Sequence, residues 1–217
     1  MSTAVFRASM AVAIPVGSYG AAFGAASISA GLDLWQTIAL SSLLFSGASQ
    51  FALIGVIGSG GTALSAIVAG TLLGIRNGFY ALRMAPLLEL RGVKRLIAAH
   101  ITIDEATAVA LSQDQRDLDS VRKGFWFTGI GVYLFWNLFT ILGALSASLL
   151  EDPARWGLDS AVPAAFLALL WPQLTSIRLR LIALIAMAMA LLLSPLLAPG
   201  LPIISVVLIA LIAGWRK

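Results

Sequence analysis

A group of polar and small residues interrupts a long apolar stretch of the chain at Ser46, Gly47, Ser49 and Gln50. Glycine weakens a helix, and serine and glutamine side chains need hydrogen-bond partners in an apolar medium. Inside a membrane, non-helical backbone is tolerated only where it is buried in protein or lines a water-filled cavity. The sequence therefore predicts that a helix opens at Gly47 and that the opening lines a polar cavity, with Phe51 beside it.

Charged residues also occur within apolar segments. Arg76 and Asn77 lie about six residues, or roughly 9 Å, from the predicted cytoplasmic end of their segment. Such an arginine either snorkels to the headgroups or faces a cavity and meets a carboxylate. Asp104 and Glu105 are candidates for proton coupling, or else mark a helix end that reaches water. His100 and Asp104 are spaced to share one face of a helix.

Asn137 and Thr140 place two more polar groups in the middle of an apolar segment. They either join helices through hydrogen bonds or form a polar wall of a substrate site. The chain has no cysteine, no Gly-x-x-x-x-Gly-Lys-Ser/Thr loop and no His-Glu-x-x-His pair. These absences argue against disulfides, ATP hydrolysis of that type and zinc-protease chemistry. We expect no enzymatic activity, no cofactor and no metal site.

The elements that position these residues are membrane helices. The chain has 217 residues, of which 59% are hydrophobic and 11% charged, and its mean hydropathy is +0.95. These values lie outside the range of water-soluble domains. The scattered lysines and arginines do not indicate nucleic-acid binding. We predict an all-α polytopic membrane protein of about seven transmembrane helices, within a range of six to eight.

The predicted spans differ in length. The apolar segments cover 8–30, 34–57, 62–82, 96–111, 124–150, 160–173, 181–195 and 203–215. Several are shorter than a full crossing needs, and 96–111 is the best candidate for a half-helix because it contains two acids. Basic residues in the predicted loop 83–95, before the seventh segment and at the C-terminus indicate that these regions are cytoplasmic. The N-terminus then lies outside in the seven-span arrangement, and inside if 34–57 re-enters.

Two parts of the sequence are similar to each other. Both start with Gly-Leu-Asp, at Gly31 and at Gly157, and the apolar residues that follow match at several positions. We predict a single membrane domain over 1–217, built from pseudo-repeats 8–111 and 124–215 in opposite orientations. Internal repeats with broken helices are typical of secondary transporters.

Several motifs occur in a characteristic order. They are FSGASQF around Ser46 to Phe51, GIRNGFYALRMAPLL from Gly74 to Leu88, TIDEATAV from Thr102 to Val109, and FWNLFTILGA followed by GLDSAVPAAFLALL. In combination they resemble the AzlC family, the large subunit of branched-chain amino-acid exporters, over about residues 8 to 215. The resemblance implies a secondary exporter in the cytoplasmic membrane of a bacterium, working with a small AzlD-type membrane subunit. The family commonly has histidine where this chain has Asn77, so coupling would need Asp104, Glu105 or His100.

The resemblance implies export of leucine, isoleucine, valine or close analogues, coupled to the proton gradient. The residues expected to bind the substrate are Ser46, Gly47, Ser49, Gln50, Phe51, Arg76, Asn77, Asn137 and Thr140. Its apolar side chain is expected to lie against Phe51, Phe23 or Phe79. Two other classes remain open: an uncoupled channel or scaffold subunit, and the permease subunit of an ATP-driven importer.

Overall fold

The computed structural model describes residues 2–149, 164, 167, 170, 171, 174–198 and 200–209, and the regular structure in this part of the chain is helical. The helices are α1 (Ser2–Ser18), α2 (Gly20–Ser29), α3 (Leu34–Leu43), α4 (Gly47–Gly58), α5 (Ala63–Leu88), α6 (Gly92–His100), α7 (Asp104–Leu111), α8 (Leu118–Ser148), α9 (Ile177–Leu193) and α10 (Leu201–Ser205). The predicted span 160–173, the motif at 157–170 and the end of 203–215 lie largely or wholly outside the described residues. The internal repeat therefore stays a prediction.

Two helical stretches of the described part are long and apolar enough to cross a bilayer, Thr3–Ser29 and Leu118–Ser148. The first spans α1 and α2, which are separated only by a turn at Tyr19. Helix α5 has 26 residues and is therefore about 39 Å long, which also exceeds the thickness of a membrane core. This architecture is compatible with a polytopic membrane protein. The count of seven spans stays a prediction.

The broken helix expected within 34–57 is present, but the break is not at Gly47. Helix α3 ends at Leu43, and the chain is non-helical over 44–46, with Ser46 in an extended conformation at φ −161° and ψ 101°. Gly47 is the first residue of α4, so it begins the second half-helix and does not open the first.

The segment 96–111 is two short helices and not one half-helix. Helix α6 ends at His100 and α7 begins at Asp104, with Ile101, Thr102 and Ile103 between them. Three β-branched residues in succession are stiff and disfavour a helix. The prediction that His100 and Asp104 share one helical face is therefore wrong, because the helix is broken between them.

The basic loop predicted over 83–95 is mostly helical. Helix α5 continues through Pro86 to Leu88, and α6 begins at Gly92. The turn between them contains Glu89 in the left-handed region, at φ 52°. Arg122 at the start of α8 stabilises this end of α5, since its Nε donates to the Leu87 carbonyl at 3.0 Å and its Nη2 to Glu89 at 2.6 Å.

Close helix crossings hold the bundle together. A Cβ atom added at Gly24 of α2 would lie 2.1 Å from the Thr140 carbonyl oxygen of α8, and one at Gly143 of α8 would lie 2.0 Å from the Ala21 carbonyl oxygen. Glycine is therefore required for these backbones to approach so closely. A second crossing joins α4 to α5, where a Cβ at Gly70 would meet the Ser49 carbonyl oxygen at 3.2 Å.

Candidate functional site

Three helix breaks meet at one cavity of about 100 Å³. The breaks and the helix starts that follow them contribute Tyr19 between α1 and α2, residues 45–48 at the start of α4, and residues 103–105 at the start of α7. The uninterrupted helices α5 and α8 complete the walls. The full lining is Val16, Tyr19, Phe45, Ser46, Gly47, Ala48, Phe51, Arg76, Ile103, Asp104, Glu105, Val132 and Trp136. The volume is well above the roughly 10–15 Å³ that one water needs.

Arg76 of α5 forms an ion pair with Asp104 of α7 in this cavity. Its Nη1 lies 3.3 Å from Asp104 Oδ2, and the two side chains are 39% and 40% exposed. The contact involves one nitrogen only, and Arg76 Nε is buried without a hydrogen-bond partner in the described part of the chain. The guanidinium therefore keeps donors for a second anion.

Arg76 lies deeper in its helix than the sequence indicates. Because α5 extends to Leu88, Arg76 is about 18 Å from the end of the helix, and not about 9 Å. Arg76 is therefore an interior residue of α5 and does not lie near its end. Its contact with Asp104 in the cavity favours the alternative in which the arginine meets a carboxylate.

Acidic residues face Arg76 from the first turn of α7. Asp104 and Glu105 are the first two residues of this helix, and both line the cavity. Carboxylates are stabilised at a helix N-terminus by the aligned peptide dipoles. Two carboxylates and one guanidinium leave the cavity with one formal negative charge when both acids are ionised, and a single proton neutralises it.

The N-terminus of α4 also points to the cavity. Ser46, Gly47 and Ala48 line it, and no side chain caps this helix end. The first amide N–H groups of a helix have no intrahelical partner, so they are available to an anion. The cavity thus combines these amides and Arg76 with the two acids of α7.

An apolar wall completes the site. Phe51 is 1% exposed and makes edge contacts with Phe23 and Trp136 at ring distances of 5.7 and 6.5 Å. Trp136 lies against the backbone of Gly47, where an added Cβ would meet the indole at 2.9 Å. Val132, one helical turn before Trp136, lines the cavity as well. Groups of opposite charge beside an apolar wall suit a small solute with polar and apolar ends.

Gln50 closes the break between α3 and α4 and does not line the cavity. It is fully buried, and its Nε2 donates to the carbonyls of Leu44 at 2.7 Å and Ser41 at 3.3 Å. Its Oε1 accepts from Trp136 Nε1 at 2.9 Å. The carbonyls freed at the end of α3 are therefore bound by protein groups, and His100 Nε2 similarly lies 2.9 Å from the carbonyl oxygen of Ser42.

We expect Gln50→Leu to lower the melting temperature of the purified protein by about 6–12 °C, because it leaves buried polar groups of Leu44 and Trp136 unpaired at a cost of about 3 kcal/mol. Thermal unfolding followed by intrinsic tryptophan fluorescence in detergent measures this effect. Gln115→Leu, at an exposed loop residue, is the control and should leave the melting temperature within about 2 °C. An unchanged melting temperature with lost transport would instead make Gln50 a substrate ligand.

Other predicted site residues also lie outside the cavity lining. Thr140 accepts a hydrogen bond from Ser41 at 3.3 Å, and Asn137 donates to the carbonyl of Tyr133 in its own helix at 2.8 Å. Ser49 donates to Ser46 at 3.0 Å. These contacts fit the structural alternative, in which polar groups join or satisfy helices. Asn77 has a buried Oδ1 without a partner in the described part of the chain.

Of the predicted site residues, the structure brings together Ser46, Gly47, Phe51, Arg76, Asp104 and Glu105. Of the aromatic residues expected at the substrate, Phe23 packs behind Phe51, and Phe79 is 67% exposed and away from the cavity. Sequence reasoning missed Tyr19 and Trp136. A signal existed for Trp136, since it lies in the middle of its apolar segment, whereas interfacial tryptophans lie near span ends.

The chain is similar to a known protein family and to a known membrane protein. The model of the family described as AzlC protein matches residues 11–150, which include every lining residue of the cavity. An uncharacterized membrane protein of Archaeoglobus fulgidus is 31% identical over 154 residues, covering 70% of this chain and 66% of the relative, just under two thirds of its length. No solved structure matches the chain.

Proposed function

Because the chain belongs to the AzlC family, a family of membrane proteins with a transport-related role, we propose that it exports leucine, isoleucine, valine or close analogues across the cytoplasmic membrane. The observation that supports this proposal is the cavity at the three helix breaks. A branched-chain amino acid carries a carboxylate, an ammonium group and an apolar side chain. The cavity offers a group suited to each of the three.

The substrate carboxylate binds Arg76 and the amides at the start of α4. The guanidinium has unused donors, and a helix N-terminus favours an anion. The ammonium group binds Asp104 and Glu105, and the branched side chain lies against Phe51 and the residues of α8. The ion pair between Arg76 and Asp104 separates when substrate binds, because Arg76 then binds the substrate carboxylate and Asp104 binds its ammonium group. Broken helices at a midplane site are the usual arrangement in secondary transporters.

Asp104 and Glu105 of α7 bind and release the coupled proton. A zwitterion brings no net charge, so the formal negative charge of the cavity remains after binding, and a proton on Asp104 or Glu105 neutralises it. Asn77 cannot take this role because an amide does not titrate. His100 is outside the lining. Intramembrane acids that face a cavity are typical proton carriers.

The direct test is efflux of labelled leucine from preloaded cells that make this chain with and without a small AzlD-type membrane subunit. We propose that the two together form the exporter, so efflux should require both and should fall when the proton gradient is collapsed. Efflux that ignores the proton gradient would indicate an uncoupled channel. Transport that requires ATP in vesicles without a proton gradient would indicate a permease subunit of an ATP-driven system.

We expect Asp104→Asn to separate transport from the proton gradient, because it removes one of the two acids that exchange the proton. When a protonophore is added, efflux by this variant should change less than two-fold, which is the order of the replicate error. Wild-type efflux should fall at least ten-fold under the same treatment. The matched control is Asp114→Asn in the exposed loop before α8, which should behave as wild type. A protonophore response in Asp104→Asn equal to that of wild type would assign the proton to Glu105.

A further inference from the structure

A second cavity of about 340 Å³ lies between α5 and α6, away from the substrate site. Its floor is formed by Met84, Leu88 and Ala98, all of which are buried. The small side chains of Ala81 and Ala85 on α5 face Ala98 and Ala99 on α6 and leave an open groove between the two helices. The lining of the groove is apolar except for Arg95 and Thr102.

Four basic residues without acidic partners lie on α5, on α6 or in the turn between them, and Arg95 lines the groove. Arg83, Arg91, Lys94 and Arg95 are exposed, and none has an ion-pair partner among the described residues. The nearby acid, Glu89, is already bound to Arg122 at 2.6 Å. The region therefore presents four uncompensated positive charges beside an apolar groove.

Helix α6 has both an apolar and a basic side and few contacts with the bundle. Val93 and Leu96 are 70% and 71% exposed, and Lys94 and Arg95 lie between them in sequence. A helix of this composition lies in the membrane interface, with its apolar side among the acyl chains and its basic side at the headgroups. The charge pattern predicts that this end of α5 lies on the cytoplasmic side, where anionic lipids concentrate.

We propose that the groove between α5 and α6 binds an anionic phospholipid. One acyl chain occupies the groove over Met84 and Leu88, and the phosphate binds Arg95 with Lys94 and Arg91 around it. Basic pockets between helices on the cytoplasmic side are suited to anionic headgroups. The apolar length of the groove distinguishes a lipid from a free phosphate ion, which would need only the charges.

Charge complementarity favours a lipid over a protein as the occupant. A protein partner would need an acidic surface at this depth, whereas the cytoplasmic leaflet supplies anionic headgroups next to acyl chains. Four alanines line the groove, and their small side chains leave room for an acyl chain. This inference concerns a site separate from the cavity at the helix breaks and does not depend on the transported solute.

The test uses the full chain, purified and incubated with equal amounts of phosphatidylglycerol and phosphatidylcholine of the same acyl chains. Native mass spectrometry counts the lipids retained by each protein molecule. Wild type should retain phosphatidylglycerol in preference to phosphatidylcholine. Because a basic residue near an anionic surface adds about five-fold in affinity, Lys94→Gln with Arg95→Gln should lower phosphatidylglycerol binding about 25-fold.

Two further variants separate the headgroup from the chain. Ala85→Phe fills the groove without changing charge and should also reduce phosphatidylglycerol binding, whereas soluble glycerol phosphate should not compete with the lipid. Arg7→Gln with Arg116→Gln removes two charges elsewhere in the chain and should bind as wild type. Equal retention of the two lipids, unchanged binding by the Lys94 and Arg95 variant, or competition by glycerol phosphate would overturn the proposal. So would a co-purified membrane protein that protects the groove from lipid.

Discussion

Replacing Arg76 by lysine should lower leucine efflux by about 30- to 150-fold while membrane insertion stays normal. Lysine keeps the positive charge but has a single ammonium group, which cannot bind a substrate carboxylate through two parallel N–H groups as the planar guanidinium does. The loss of charge-assisted hydrogen bonds worth about 2–3 kcal/mol gives the expected size of the effect. The test is initial efflux rate at matched amounts of protein in the membrane.

The matched control is Arg83→Lys, on the same helix but exposed and without an ion pair in the described residues. It should transport at nearly the wild-type rate. If Arg76→Lys also showed near-normal efflux with its usual pH dependence, Arg76 would be an anchor or a structural ion pair. The substrate carboxylate would then have to bind at the amides of α4.

Gly143→Leu should prevent stable folding altogether. The Cβ of any larger residue at this position would lie 2.0 Å from the Ala21 carbonyl oxygen and 2.7 Å from the Ala21 Cα. These are backbone atoms of α2 and cannot rotate away as a side chain does. The helices would have to separate, which removes the packing that α2 and α8 share and exceeds the 1–3 kcal/mol that overpacking ordinarily costs.

The measurement for Gly143→Leu is the fraction of detergent-extracted protein that elutes as a single species. Its control is Gly78→Ala in α5, where no atom lies within 4 Å of the added Cβ. That variant should gain up to about 1 kcal/mol, because alanine is the better helix former. Normal elution and melting of Gly143→Leu would mean that the crossing between α2 and α8 is looser than described.

The sequence predicts the chemistry of the site better than its geometry. A helix break near Ser46 follows from residue types alone, because glycine and hydroxyl side chains are poorly placed in a continuous membrane helix. The pairing of Arg76 with an acid follows from the cost of an isolated charge in hydrocarbon. The second break, at residues 101–103, was missed because isoleucine and threonine are apolar enough to look like part of a span.

The role of Gln50 could not be predicted from its neighbours in sequence. Its partner Trp136 is 86 residues away, and only the packing of α4 against α8 brings the two together. The length of α5 was underestimated for a different reason. Arg83 and Pro86 suggest a loop, because proline disfavours a helix interior. Helix α5 nevertheless continues through both, and the contacts of Arg122 with Leu87 and Glu89 stabilise its end.

The crossing of α2 with α8 determines when these helices can pack during synthesis of the chain. Gly24 packs against the backbone of Thr140, which is synthesised 116 residues later. At ordinary translation rates this separation is a delay of about 6–23 s. During this interval the surface of α2 around Gly24 lacks the helix that packs against it in the folded protein. The bundle therefore cannot close until α8 has been synthesised, so a chain truncated before α8 should remain unassembled.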